Sequence, residues 1–95
     1  MNDYEIIFSL RAQARLKEIA DYLYRQHMTK EFVVEYLNGF QRWLETVLLL
    51  FPESGTPMPD FGEGIRRVVY QKYSVVYRVR AKQIEILTLY RENLP

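Results

Sequence analysis

The chain has 95 residues, of which 48% are hydrophobic and 26% charged, with a net charge of +1. That length accommodates one domain, residues 1–95, and that composition excludes a disordered chain. With no cysteine there is no disulfide framework and no thiolate metal site, and the longest apolar run, Val47 to Phe51, falls far short of the roughly 20 residues that span a bilayer.

Residues 3–8, DYEIIF, alternate and are rich in β-formers, which predicts a short first strand. Charges interrupt this only apolar run of the N-terminus, so it does not read as a signal peptide. Ser9 is a candidate helix N-cap. Beyond it Leu16, Ile19, Ala20 and Leu23 follow helical spacing, which predicts a helix over about residues 10–27 with a charged outer stripe from Arg15 to Arg25.

Thr29 is the next candidate cap. Val33, Tyr36, Leu37, Phe40, Trp43, Leu44, Val47, Leu48 and Phe51 then hold the 3.6-residue period up to Pro52, which stops the helix. Gly39 interrupts this pattern and is read as a point of close approach for the first helix. The short QHMTK link folds the two helices back as a hairpin. Residues 52–64, PESGTPMPDFGEG, hold three of the four prolines and three of the four glycines, and read as one ordered loop.

Three strands follow, at about 65–70, 73–80 and 83–90, separated by Gln71-Lys72 and Ala81-Lys82. Gaps of two residues favour an antiparallel meander, although neither contains the usual glycine. The expected architecture is α+β, in the order β-α-α-β-β-β, with a helical hairpin packed on a small, mostly antiparallel sheet. Alternation puts Tyr73, Val75, Tyr77 and Val79 on one face of the middle strand and Ile84, Ile86, Thr88 and Tyr90 on one face of the last; these are the candidates for the side under the helices, while alternation alone does not fix which way each strand faces. The opposite side then holds Ser74, Val76, Arg78 and Arg80 with Glu85, Leu87, Leu89 and Arg91. Apolar residues rimmed by arginine make this second side a candidate protein-binding face.

The charge is unevenly spread. Between Gly64 and Arg91 there are seven Lys or Arg and a single acid, Glu85. Such a patch suits phosphate or an acidic protein. Cutting RNA without a metal would need positioned acid and base groups. The single histidine, His27, falls at the hairpin tip, and Glu85 among so many cations reads as an ion-pair partner. Tyr90 and Arg91 have the chemistry of an acid and a phosphate clamp, but no spacing demands it, so no catalytic residue is assigned. No glycine-rich phosphate loop and no metal-ligand cluster is present, so no cofactor or metal is expected.

Taken together, LKEIADYLYRQ, the apolar end of the second helix with its loop FPESGTPMPDFGEGIRR, and the strands IRRVVYQKYSVVYRV and IEILTLYR resemble the ParE branch of the RelE/ParE toxins of bacterial toxin–antitoxin pairs. The resemblance spans nearly the whole chain. It implies a RelE/ParE-like fold, a cytoplasmic toxin, and a cognate antitoxin whose C-terminal segment wraps the toxin in a hetero-oligomeric complex. It also implies one of two activities. ParE-like members poison DNA gyrase, whereas RelE-like members cut mRNA in the ribosomal A site. The nucleases carry Arg after the Tyr of the central strand, where this chain has Ser74 after Tyr73, and they end in a basic tail, where this chain has Glu92 after Arg91. The gyrase-inhibiting class is therefore favoured. The alternatives are the ribosome-dependent nuclease and a non-toxic member that only binds antitoxin. Arg66, Arg67, Arg78, Arg80, Tyr90 and Arg91 are the expected target-facing residues. Leu16, Leu23, Tyr36 and Phe40 in the hairpin groove, with Leu87 and Leu89 on the sheet, are the expected antitoxin-docking residues. Sequence-specific nucleic-acid binding and membrane association are not expected.

Overall fold

The computed structural model describes residues 4–91. Asp3 of the expected first strand, and Glu92, lie outside the described residues. Strand β1 runs from Glu5 to Phe8 and leads into helix α1, Leu10–Arg25. Ser9 caps that helix as expected: its Oγ accepts from the Ala12 N–H at 3.0 Å and donates to the Leu87 carbonyl at 2.8 Å. One side chain thus fixes the helix start and ties it to the far end of the chain. Helix α1 stops two residues before the expected end because His27 adopts a left-handed φ of 65°, which turns the chain. Helix α2, Lys30–Leu48, begins at Thr29, whose Oγ1 accepts from the Phe32 N–H at 3.0 Å. It ends before Leu49 rather than at Phe51, though the Phe51 N–H still reaches the Val47 carbonyl at 2.9 Å.

The proline-rich loop is more structured than its composition implies. It contains a two-residue strand, β2 at Thr56–Pro57, and a single 3₁₀ turn at Pro59–Phe61. Strands β3 (Ile65–Tyr70), β4 (Tyr73–Arg80) and β5 (Gln83–Arg91) form the expected meander. The sheet order is β1-β5-β4-β3-β2, with β1 parallel to β5 and every other pair antiparallel. The fold is therefore the α+β arrangement expected. The two hairpins close without glycine: Gln71 and Ala81 take φ values of 56° and 53°. Left-handed backbone is what two-residue turns need to match the twist of the strands.

The helical hairpin covers one face of the sheet. Ala12, Ile19, Phe40, Leu44 and Leu48 pack against Val75, Tyr77, Ile84, Ile86 and Leu89. Burial of each large aliphatic or aromatic side chain here contributes about 1.5–3 kcal/mol. An aromatic group continues the core toward the hairpin end of the sheet, with Phe40 4.8 Å from Tyr70 and 5.5 Å from Tyr73 between ring centroids. Gly39 faces this group rather than α1: a Cβ there would meet the Tyr70 hydroxyl at 3.2 Å.

One expectation fails at β5. The pairing of β4 with β5 shifts register between Val76 and Tyr77, so that Val76 faces Thr88 while Tyr77 faces Ile86. Leu87 is the extra residue of a β-bulge, and alternation restarts after it. Ile84 and Ile86 point to the helices as expected, but Thr88 and Tyr90 do not. Leu89 and Arg91 take their place, opposite Val75 and Tyr73. Leu89 is 1% exposed and Phe40 1% exposed. Both are core residues, which removes them as surface contacts for an antitoxin.

Candidate partner-binding surface

Residues directly opposite in an antiparallel pair share a face. The register therefore sorts the basic side chains without ambiguity. The face away from the helices carries Arg67 and Val69 of β3, Ser74, Val76, Arg78 and Arg80 of β4, and Glu85, Thr88 and Tyr90 of β5. Arg66 and Arg91 lie on the helix side, opposite Tyr77 and Tyr73. Of the six residues expected to meet a target, four are thus brought together and two are not.

On the outer face, Arg67 sits opposite Val76 and donates to the Oγ of Ser74 at 3.2 Å. Ser74 is 0% exposed and Val76 1% exposed. Arg78 donates to Glu85 at 3.0 Å across the β4–β5 pair, with both side chains about a third exposed. The Arg78 Nε is buried with no hydrogen-bond partner among the described residues. Arg80, Val69 and Tyr90 are exposed. Three guanidinium groups against one carboxylate, over an apolar strip, form a cationic, partly apolar plate.

Arg66 has a different task. Its Nη1 donates to the carbonyls of Glu53 and Gly55 at 3.0 and 2.8 Å, which pins the proline-rich loop to β3. Tyr77 works beside it from the core: its hydroxyl donates to the Pro52 carbonyl at 2.8 Å and accepts from the Gly55 N–H at 2.9 Å. Burial pushes the Tyr77 hydroxyl up from its ordinary pKa, against the lowering effect of the Gly55 hydrogen bond and of Arg66. A Cβ on Gly55 would lie 2.6 Å from that hydroxyl and 2.8 Å from the Arg67 carbonyl, so this close approach requires glycine.

Arg91 ends β5 inside a second feature, a cleft between α1 and the sheet. One lobe of about 370 Å³ is lined by Arg15, Glu18, Ile19 and Tyr22 of α1 with Tyr73, Leu89, Tyr90 and Arg91. A second lobe of about 280 Å³ shares Tyr22, Tyr73 and Arg91 and adds Leu23, Tyr36, Gln71 and Lys72. Burial raises the pKa of Tyr36, further raised by Tyr73 and Tyr70 and opposed by Arg91. Tyr73 is raised by burial as well, again with Arg91 opposing. These hydroxyls are therefore neutral donors at physiological pH. Leu16, Leu23 and Tyr36 are half-buried against the core, and Leu87 is half-buried at the bulge. Sequence reading passes over Tyr22 because it follows none of the core positions of α1. The run of tyrosines at 22, 24, 36, 70 and 73 is the signal that was available.

His27 lies in the turn between the helices, and its N–H donates to the Tyr24 carbonyl at 2.9 Å. Among the described residues no group of His, Cys, Asp or Glu is placed to hold a metal ion, and no helix is long and apolar enough to cross a membrane.

The family model described as "ParE toxin of type II toxin-antitoxin system, parDE" matches residues 6–92. The chain belongs to the ParE toxin family. A solved structure described as "Chromosomal ParDE TA system from P. aeruginosa" superposes with a TM-score of 0.76 at 21% identity, covering 98% of this chain and 100% of that one. At that identity the likeness speaks for the ParE fold alone. A search among curated proteins finds no match. The match to the ParE family model takes in every element from Ile6 of β1 to the end of β5, so the helical hairpin, the latched loop and the cationic plate all fall within the matched region.

Proposed function

We propose that this ParE-family toxin acts by binding DNA gyrase and stabilising its cleaved-DNA state, and that a ParD-like antitoxin neutralises it in a hetero-oligomeric complex. The observation that carries the choice of target is Ser74. Nucleases similar to this chain place Arg after the Tyr of the central strand. Here that position holds a serine that is fully buried and hydrogen-bonded to Arg67. The plate offers cations and apolar surface, which suits gripping a partner, and its one carboxylate, Glu85, is paired with Arg78. Arg67, Arg78, Arg80 and Tyr90 are the target-facing residues in this reading. Leu16, Leu23 and Tyr36 remain the antitoxin-facing candidates of the hairpin.

The test is a gyrase assay with purified toxin. Loss of supercoiling and accumulation of cleaved DNA are expected, both reversed by the antitoxin. Intact gyrase activity together with cleavage of ribosome-bound mRNA would overturn the gyrase reading.

A further inference from the structure

The register of the outer face sets its charges in order. Arg78 and Arg80 are two residues apart on β4, and so about 7 Å from one another. Arg67 lies opposite Val76, which puts it one diagonal step of about 7–8 Å from Arg78. The three arginines thus form a track from β3 along β4 with a nearly even step. That step is close to the separation of successive phosphates on one nucleic-acid strand. Thr56, exposed and opposite Arg67, adds a hydroxyl at the β3 end. The acids stand on one flank only. Glu85 on β5 is paired with Arg78 at 3.0 Å, and Glu5 on β1 lies beyond Gln83 from Arg80. Past Arg67 the next row across the sheet is Val69, Ser74 and Tyr90. Its middle member is buried and its two ends stand out, with Val69 44% and Tyr90 38% exposed. A tyrosine ring is therefore presented at the end of the arginine track.

We propose that the outer plate holds a strand of the DNA bound by gyrase, with successive phosphates on Arg80, Arg78 and Arg67 and a base against Tyr90. This rests on the gyrase reading above for the choice of DNA, and adds what the plate itself touches. The arginine fork matches phosphate oxygens. Contacts to phosphate read no base edge, so the grip is independent of sequence. Tyr90 can stack on any base, because every base has a π-face. An acidic protein fits less well. It would need acids at alternate positions of an extended strand, whereas every nucleotide brings its own phosphate. Glu5 and Glu85 repel a strand laid across β5 and β1, which confines it to β3 and β4.

The experiment is an NMR titration of the isotope-labelled toxin with a DNA single strand of about ten nucleotides, repeated at several salt concentrations. It uses wild type, Arg80→Gln, Tyr90→Ala, and Lys17→Gln as a control on the outer stripe of α1. Amide shifts are expected at Arg67, Val76, Arg78, Arg80 and Tyr90, and none in α1 or α2. With three phosphates held, log K should fall against log salt with a slope of about −2, and Arg80→Gln should reduce its magnitude by about 0.7. Affinity should drop about threefold in Arg80→Gln and about fivefold or more in Tyr90→Ala, and stay unchanged in Lys17→Gln. Thermal midpoints close to wild type separate the contact from the fold. No shifts on the plate, or wild-type affinity and salt slope in Arg80→Gln, overturns the DNA track, and gyrase inhibition by the same wild-type toxin then leaves the gyrase reading standing. An RNA strand of the same sequence bound about tenfold tighter overturns the choice of DNA. DNA held on the plate by a toxin that leaves gyrase untouched upholds the track and removes the gyrase reading.

Discussion

Tyr77, like Ser9, ties two backbone groups through a single hydroxyl. It is buried in the core, and through one oxygen it holds both Pro52 and Gly55 of a loop that the sequence marks only as rich in proline and glycine. Tyr77→Phe keeps the ring and strands two backbone groups. The expected cost is about 1–3 kcal/mol, read as a lower midpoint in urea unfolding. Gly55→Ala should cost at least as much, because its Cβ meets the Arg67 backbone as well as the Tyr77 hydroxyl. The same burial has a consequence for pH. The folded pKa values of Tyr36, Tyr73 and Tyr77 all lie above the ordinary value. Below about pH 10 both folded and unfolded tyrosines are protonated, and the stabilisation is fully present. As pH rises past the unfolded value, the unfolded chain releases protons that the folded chain retains, and stability falls. Urea midpoints measured between pH 8 and 11 should decline, and Tyr77→Phe should decline less steeply.

At the scale of the element, the two hairpin turns and the bulge decide most of the sheet. Gln71 and Ala81 occupy left-handed backbone that costs a residue with a Cβ about 1–2 kcal/mol relative to glycine. Ala81 is exposed and in a two-residue turn, so Ala81→Gly is expected to stabilise the protein by up to about 1 kcal/mol. Differential scanning calorimetry should register this as a rise of roughly 4–8 °C per kcal/mol for a domain of this size. The helices were legible because eight apolar positions of α2 keep one period and because Ser9 and Thr29 are caps by type and by place. Strand existence was legible from alternation. Strand facing was legible only up to Leu87. A bulge inserts one residue without a compositional mark, and everything from Thr88 to Arg91 changes sides. The split of Arg66 from Arg67 needs no bulge at all: neighbours in a strand point to opposite faces, and a cluster counted along the chain is divided by the pleat.

At the scale of the molecule, that pleat turns one basic stretch into two separate surfaces. The outer plate collects Arg67, Arg78, Arg80 and Tyr90, while Arg91 serves the cleft under α1 and Arg66 serves the loop. The two faces of the sheet therefore differ in chemistry, a cationic plate outside and a cleft with an apolar floor beside α1. Arg80 is exposed at the end of β4, so Arg80→Glu should leave the thermal midpoint close to wild type and, on the gyrase-binding function proposed above, reduce inhibition of gyrase several-fold. Unchanged inhibition by that variant would place the target contact elsewhere. The bulge sets this division of labour. Deleting Leu87 would remove the bulge and let Ile86 and Thr88 alternate directly, leaving Thr88 and Tyr90 on the outer face and Leu89 and Arg91 toward the helices. The bulge thus resembles a frameshift already compensated: losing that codon would subtract one side chain and leave what each face of the sheet offers beyond it unchanged.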